Sequence, residues 1–181
     1  MPKENEKEII AKVLGGDTNA FGELVERYHK GLCIYLVNLL NDDMQAEDIA
    51  QDAFIRAFVR LETYNSNYSF STWLYKIARN LALRYLENKT KLAPTFDTNM
   101  IETPTTESAQ DSLQKDEQTA SIQKAIASLK PEYQEVINLY YWNGKSYEEI
   151  SEILDCPVNT VRTWLHRSKE SIRKELYGQI G

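Results

Sequence analysis

Residues 146–167 read SYEEISEILDCPVNTVRTWLHR, and the punctuation in this stretch decides the fold of the C-terminal part of the chain. Ser146 stands three residues before Glu149, the spacing at which a hydroxyl and a carboxylate satisfy each other's free amides at a helix start. The short helix so opened is predicted to reach Leu154, where Asp155-Cys156-Pro157 makes a tight turn before a long helix to about Tyr177. Short helix, tight turn and long helix make a helix-turn-helix. On the long helix Val161, Leu165, Ser168, Ile172 and Leu176 share one side, with Trp164 beside them, and are read as buried. Arg162, His166, Lys169 and Arg173 line the opposite side, with Thr163, Arg167 and Lys174 adjacent. A charged stripe on an arbitrary helix is usually a solvated face. This one is basic and follows the turn, where a recognition helix meets base edges and phosphates of a major groove.

Working outward, Pro131 suits the first position of a helix that stops at Asn143-Gly144, and an earlier helix ends near Leu129. Before it the character changes. Thr95–Asp111 holds five threonines, one serine, four acids and Pro104 but no Lys or Arg, so it cannot bury enough apolar area to offset its ordering entropy. Residues 94–116 are therefore read as a flexible acidic linker between domains at 1–93 and 117–181. The first domain reads as helices over 4–14, 19–40, 44–63 and 69–88. Thr18, the Asn41-Asp42-Asp43 run, and Ser69 or Ser71 are the expected caps. The fold class is all-α, two small helical domains joined by that linker.

Composition sets the outer bounds. The 181 residues are 42% apolar and 27% charged with seven Gly and five Pro, a soluble and mostly helical composition. The net charge of −6 is concentrated in residues 95–120, which carry one basic and six acidic groups, while 121–181 balance at eight of each. Two cysteines and no Cys-x-x-Cys or Cys/His cluster give no reason to expect a metal or cofactor. His29 is read as a helix-surface residue, and Cys33 and Cys156 as small packing residues. No apolar run is long enough to span a bilayer and the start has no signal-peptide core, so a cytoplasmic protein without membrane insertion is expected. No phosphate-cradling Gly loop or nucleophile–base arrangement is present, so neither an enzyme nor a small-molecule substrate is expected.

Two further faces are spare. In the helix over 44–63, Ile55 and Val59 lie opposite the core positions among Asp48, Gln51, Asp52 and Glu62. An apolar strip fenced by acids suits docking to a basic-rimmed protein, against the alternative of a helix buried on both sides. Next, Tyr64, Tyr68, Phe70, Trp73 and Tyr75 are interleaved with Asn65, Ser66, Asn67, Ser69, Ser71 and Thr72. Trp73, four residues before Ile77, is read as core. The loop combines stacking faces with amides and hydroxyls, which is what unpaired bases need for capture. Lys76, Arg79, Asn80 and Glu87 follow on a polar helix side.

Ala46-Glu47-Asp48-Ile49-Ala50-Gln51-Asp52-Ala53-Phe54, Thr72-Trp73-Leu74-Tyr75-Lys76-Ile77-Ala78-Arg79-Asn80, and Ser146 to Ile150 through Thr160-Val161-Arg162 together resemble the extracytoplasmic-function (ECF) group of bacterial RNA polymerase sigma factors. The resemblance spans nearly the whole chain, one lobe matching region 2 and the other region 4. It implies promoter-specific initiation without bond chemistry, with promoter melting and two DNA-reading surfaces carried on core polymerase. Asp48, Gln51, Asp52, Ile55 and Val59 would dock on the clamp helices of the largest subunit. Asn65, Ser66, Asn67, Tyr68, Ser69 and Phe70, with Lys76, Arg79 and Asn80, would hold a flipped base and backbone of the −10 element. Asn159, Thr160, Arg162, Thr163, His166, Arg167 and Lys169, with Tyr147 and Glu148, would face the −35 duplex. The linker would thread near the active-site and RNA-exit channels, and an anti-sigma factor would be a further partner.

Three positions depart from the family pattern. Arg84 and Glu87 are sign-swapped, Asn159 replaces a frequent glycine, and Trp164 stands where a basic residue is common. The main rival is a stand-alone helix-turn-helix regulator, which leaves the Asp48/Gln51 strip and the aromatic loop without a role. A helical adaptor that sequesters another regulator is the second rival, and it would have no use for Arg162 and Arg167.

Overall fold

The computed structural model describes residues 3–92 and 113–178, and every regular element among them is helical. The N-terminal lobe consists of α1 (Lys3–Leu14), α2 (Phe21–Leu40), α3 (Asp43–Val59) and α4 (Phe70–Leu92). The C-terminal lobe consists of α5 (Leu113–Ala127), α6 (Pro131–Ile137), α7 (Tyr147–Leu154) and α8 (Val158–Tyr177). Short 3-10 turns at Thr18–Ala20 and Leu61–Thr63 lead into α2 and out of α3. Thr18 lies inside the first of these turns and makes no side-chain cap, so the expected cap is corrected there. The expected linker over 94–116 falls outside the described residues as far as 112, and α5 has already begun at 113.

The N-terminal lobe closes around a row of alanines. Ala46, Ala50, Ala53 and Ala57 recur on α3 at steps of four, three and four, and all are fully buried. Side chains this small let α2 and α4 approach α3 closely while Leu24, Leu32, Leu36, Leu74 and Phe70 fill the space around them. Burying each such large side chain contributes about 1.5–3 kcal/mol. Asp42 caps α3 by accepting from the Gln45 amide at 3.0 Å, and the Ser69 hydroxyl accepts from the Thr72 amide at 3.2 Å where α4 begins.

The helix-turn-helix forms as its punctuation predicts. Ser146 and Glu149 make both capping-box bonds, at 3.2 and 3.0 Å. Asp155 takes the left-handed conformation (φ 56°), and the Ser151 hydroxyl donates to the Cys156 carbonyl at 2.6 Å across the turn. Val161, Leu165 and Ser168 are buried as expected, with Ile150, Ile153 and Leu139 opposite them. The sequence gives no warning of one feature: α6 widens into a π turn over Asn138–Trp142, with the Asn143 amide reaching the Asn138 carbonyl. This turn aims Asn138 and Asn143 at the other lobe. Gly144, at φ 60°, then reverses the chain into α7.

Candidate polymerase and nucleic-acid interfaces

On α3 the face opposite the alanine row is open. Ile55 is 62% exposed, Val59 73% and Met44 78%, with Asp48 and Gln51 exposed beside them. Asp52 is half-buried and holds Arg56 one turn on, Nη2 to Oδ2 at 3.0 Å. The Gln51 carboxamide donates to Glu47 at 3.1 Å. The result is an exposed apolar strip with carboxylates along it.

The aromatic loop divides. Asn65, Ser66, Asn67 and Tyr68 are exposed, and the Asn65 side chain accepts from the Asn67 amide at 3.0 Å, a local turn that fixes the loop. Phe70, expected to face DNA, is instead wholly buried. Its ring meets Phe21, Tyr28, Tyr64 and Trp73 at centroid distances of 5.9–6.2 Å, so it is core and has no free face for a base. Trp73 is only half-buried, packed on Tyr64 at 5.3 Å. A cavity of about 260 Å³ opens between Asn65, Tyr68, Thr72, Trp73 and Lys76, and Glu152 of α7 forms its far wall.

That wall reflects a larger fact: the polar side of α4 is covered by the C-terminal lobe. Arg79 grips Glu135 with two bonds, Nε to Oε1 at 2.8 Å and Nη2 to Oε2 at 3.2 Å, and the buried Tyr35 hydroxyl donates to the same carboxylate at 2.7 Å. Tyr75 donates to Asn143 at 2.9 Å, and Asn138 donates to the Tyr35 carbonyl at 2.9 Å. A Cβ on Gly31 would stand 2.9 Å from the Tyr75 hydroxyl, so the missing side chain keeps that path clear. Lys145 is buried, bonded to Ser71 and lying 4.3 Å above the Tyr75 ring. Burial pulls its ammonium below the ordinary lysine range, with the nearby Glu149 and Glu6 charges opposing. Glu149 also accepts from Ser69 at 3.1 Å and Thr72 at 3.3 Å. Burial raises the Glu149 carboxyl, but the Ser146 amide, the Lys145 charge and the Ser69 hydroxyl outweigh it and hold the group below its ordinary value. Lys76 meets Asp155 at 3.6 Å near the rim. Lys76 and Arg79, expected to face −10 DNA, are thus engaged by protein, whereas Asn80 is exposed.

The α8 stripe is open throughout. Asn159, Arg162, Thr163, His166, Arg167 and Lys169 are exposed, as is Glu148, while Thr160 and Tyr147 are half-buried. The Arg162 guanidinium sits 6.0 Å from the Tyr147 ring, and His166 lies 3.4 Å from Glu170. Cations with few competing contacts at the start of a recognition helix can reach phosphates and purine edges.

His29 lies on the surface of α2 and Cys33 packs against the core, as read. Together with Glu47 they form one polar cluster between α2 and α3, and burial together with Glu47 pushes the Cys33 thiol up to about 12. Among the described residues, no helix is long and apolar enough to cross a membrane.

A region 2-like helical lobe and a region 4-like helix-turn-helix lobe define a bacterial sigma-type architecture. The family description Sigma-70 region 2 matches residues 24–92, and Sigma-70, region 4 matches residues 119–172. The chain is 36% identical over 179 residues to the ECF RNA polymerase sigma factor SigW of Bacillus subtilis, covering 94% of this chain and 96% of that one. It is 34% identical to the ECF RNA polymerase sigma-E factor of Escherichia coli K12, covering 91% and 90%. The fold is similar to that of CnrH, solved with the cytosolic domain of CnrY (TM-score 0.68, 21% identity, 94% and 96% covered). It is also similar to that of RpoE of Bartonella quintana, solved with the anti-sigma factor NepR (TM-score 0.67, 21% identity, 86% and 96% covered). The chain belongs to the ECF RNA polymerase sigma factors. Its function is that of the family: it binds core RNA polymerase and directs promoter-specific initiation.

Proposed function

We propose that this sigma factor divides its work among three faces. The exposed strip of α3, with Asp48, Gln51, Ile55 and Val59, docks on the clamp helices of the largest polymerase subunit. Asn65–Ser69 captures an extruded base of the −10 element, and the exposed start of α8 reads the −35 duplex through Arg162, Thr163, His166 and Arg167. The observation that carries this reading is the pairing of an acid-fenced apolar strip on one lobe with an open basic recognition helix on the other. Neither face is consumed by the fold. Held on one polymerase, the two DNA contacts become effectively intramolecular, so an acidic chain with modest affinity per lobe can still select a promoter.

The α4 side enters differently. Arg79 reaches DNA only after releasing Glu135, so promoter engagement includes separation of the lobes. An anti-sigma partner would compete for these same faces. The chain acts without bond-making chemistry, as a specificity subunit. A stand-alone regulator would bind duplex DNA without polymerase, and this chain is expected to bind it barely.

The test is transcription reconstituted with core polymerase on promoters selected by the wild-type protein. The double variant Arg162→Glu, Arg167→Glu should still bind core polymerase but lose most −35-dependent transcripts. Equal transcription from the same promoters would remove α8 from the reading.

A further inference from the structure

From the cluster between α2 and α3 we infer a binding site for a thiophilic divalent cation, Zn2+ by its chemistry, with His29, Cys33 and Glu47 as protein ligands. His29 and Cys33 sit one turn apart on α2, and Glu47 comes from the facing turn of α3. Their donor atoms all lie within 4.8 Å of one another. His29 Nε2 is 2.9 Å from Glu47 Oε1, Cys33 Sγ is 3.2 Å from Glu47 Oε2, and Cys33 Sγ is 3.7 Å from His29 Nε2. Zinc bonded tetrahedrally at about 2.3 Å to sulfur and about 2.0–2.1 Å to nitrogen and oxygen needs donor-to-donor edges of about 3.4–3.6 Å. The two short contacts use different Glu47 oxygens, so a monodentate carboxylate must turn to present one oxygen to both edges, within the 4.8 Å that already encloses one donor from each residue.

The surroundings leave room for an ion. The three groups line an open cavity of about 390 Å³ together with Lys30, Ile34, Val37 and Asn38, so an ion can enter and water can take the fourth position. The His29 ring is stacked on Phe54 at 6.2 Å and 20°, which fixes its plane. Gln51 donates to Glu47 at 3.1 Å and orients the carboxylate, as outer-shell partners of metal ligands do. A thiolate, an imidazole and a carboxylate select zinc-like ions over magnesium or calcium, which take oxygen ligands. Binding balances simply. The Cys33 thiol gives up its proton to solvent, His29 ligates through Nε2, and two anionic ligands neutralise the dication.

The site ties α2 to α3 at the residue next to Asp48. Its existence does not depend on α3 being the polymerase face, and its test is separate.

The full chain, reduced and freed of metal, is titrated with Co2+ as a spectroscopic probe and then with Zn2+. The expected result is a thiolate-to-cobalt charge-transfer band saturating near one equivalent, with visible bands of tetrahedral cobalt, displaced by Zn2+. Cys33→Ser should abolish the charge-transfer band, and His29→Ala and Glu47→Gln should each weaken binding at least about 10–100-fold, the range that even an outer-shell change reaches. Cys156→Ser should leave the titration unchanged, and circular dichroism should show every variant helical. A folded wild-type chain that gives no charge-transfer band overturns the assignment. So does a band that survives Cys33→Ser or disappears with Cys156→Ser.

Discussion

The outward face of α3 and the polar side of α4 belong to the same lobe and look alike as sequence, yet the fold treats them oppositely. On α3, Ile55 and Val59 stand in solvent and Asp48 is exposed. On α4, Arg79 is held by a carboxylate that also takes the Tyr35 hydroxyl, and Ser71 and Thr72 are buried under α7. Exposed apolar area is tolerated where a partner will cover it, and buried charge is tolerated where a partner already does. The first face is therefore open in the free protein. The second is covered by the C-terminal lobe.

The largest expected effect tests whether Phe70 belongs to the core or to the DNA surface. Phe70→Ala should destabilise the protein by about 3–5 kcal/mol, measured by denaturant unfolding, because it empties the centre of the aromatic cluster. Unchanged stability with lost promoter binding would return Phe70 to the DNA face.

Next comes the latch. Glu135→Ala leaves Arg79 and the Tyr35 hydroxyl without their shared acceptor. Breaking such a pair costs about 3–5 kcal/mol when fully buried, and the lower end applies because Arg79 keeps a fifth of its surface in water. The lobes should separate, read as a rise in the distance between fluorophores placed one on each lobe. An unchanged distance would mean that the polar contacts do not hold the lobes together.

A smaller effect follows from Glu149. Its folded carboxyl lies below the ordinary value near 4.5, so its contribution is whole above that pH and is lost as the pH falls through the folded value. Acid should therefore loosen the α7 capping box and, through Ser69, the lobe contact in that window, and Glu149→Gln should flatten this limb of the stability profile. An identical acid limb in the variant would show that the Glu149 carboxylate contributes nothing to this pH dependence.

Much of this was legible in the sequence. The capping box, the Pro131 start and the Asn143-Gly144 stop are local signals, satisfied within a few residues, and they came out as read. So did the exposure of Ile55 and Val59, because a core helix has only one buried face and the alanine row already claims it. The lobe contact was hidden because Glu135 and Asn138 look like ordinary polar positions on a short amphipathic helix. Only the π turn and the partners Tyr35 and Arg79, far away in sequence, give them a buried role. Phe70 was misread for a related reason: an aromatic residue beside an exposed loop carries no local mark of which side of the backbone it takes. The His29–Cys33 spacing of one helical turn was visible, but Glu47, its third member, comes from the next helix and is joined only by packing.

The smallest expected effect on stability leads to the most direct test. Asp48→Arg changes an exposed site on α3 and should alter stability by no more than about 0.5 kcal/mol. Co-elution of wild type and variant with sigma-free bacterial core polymerase then isolates the docking face. The account predicts near one-to-one binding by the wild type and loss of binding by a variant that melts at the same temperature. An Asp48→Arg protein that still competes fully for core polymerase would contradict it.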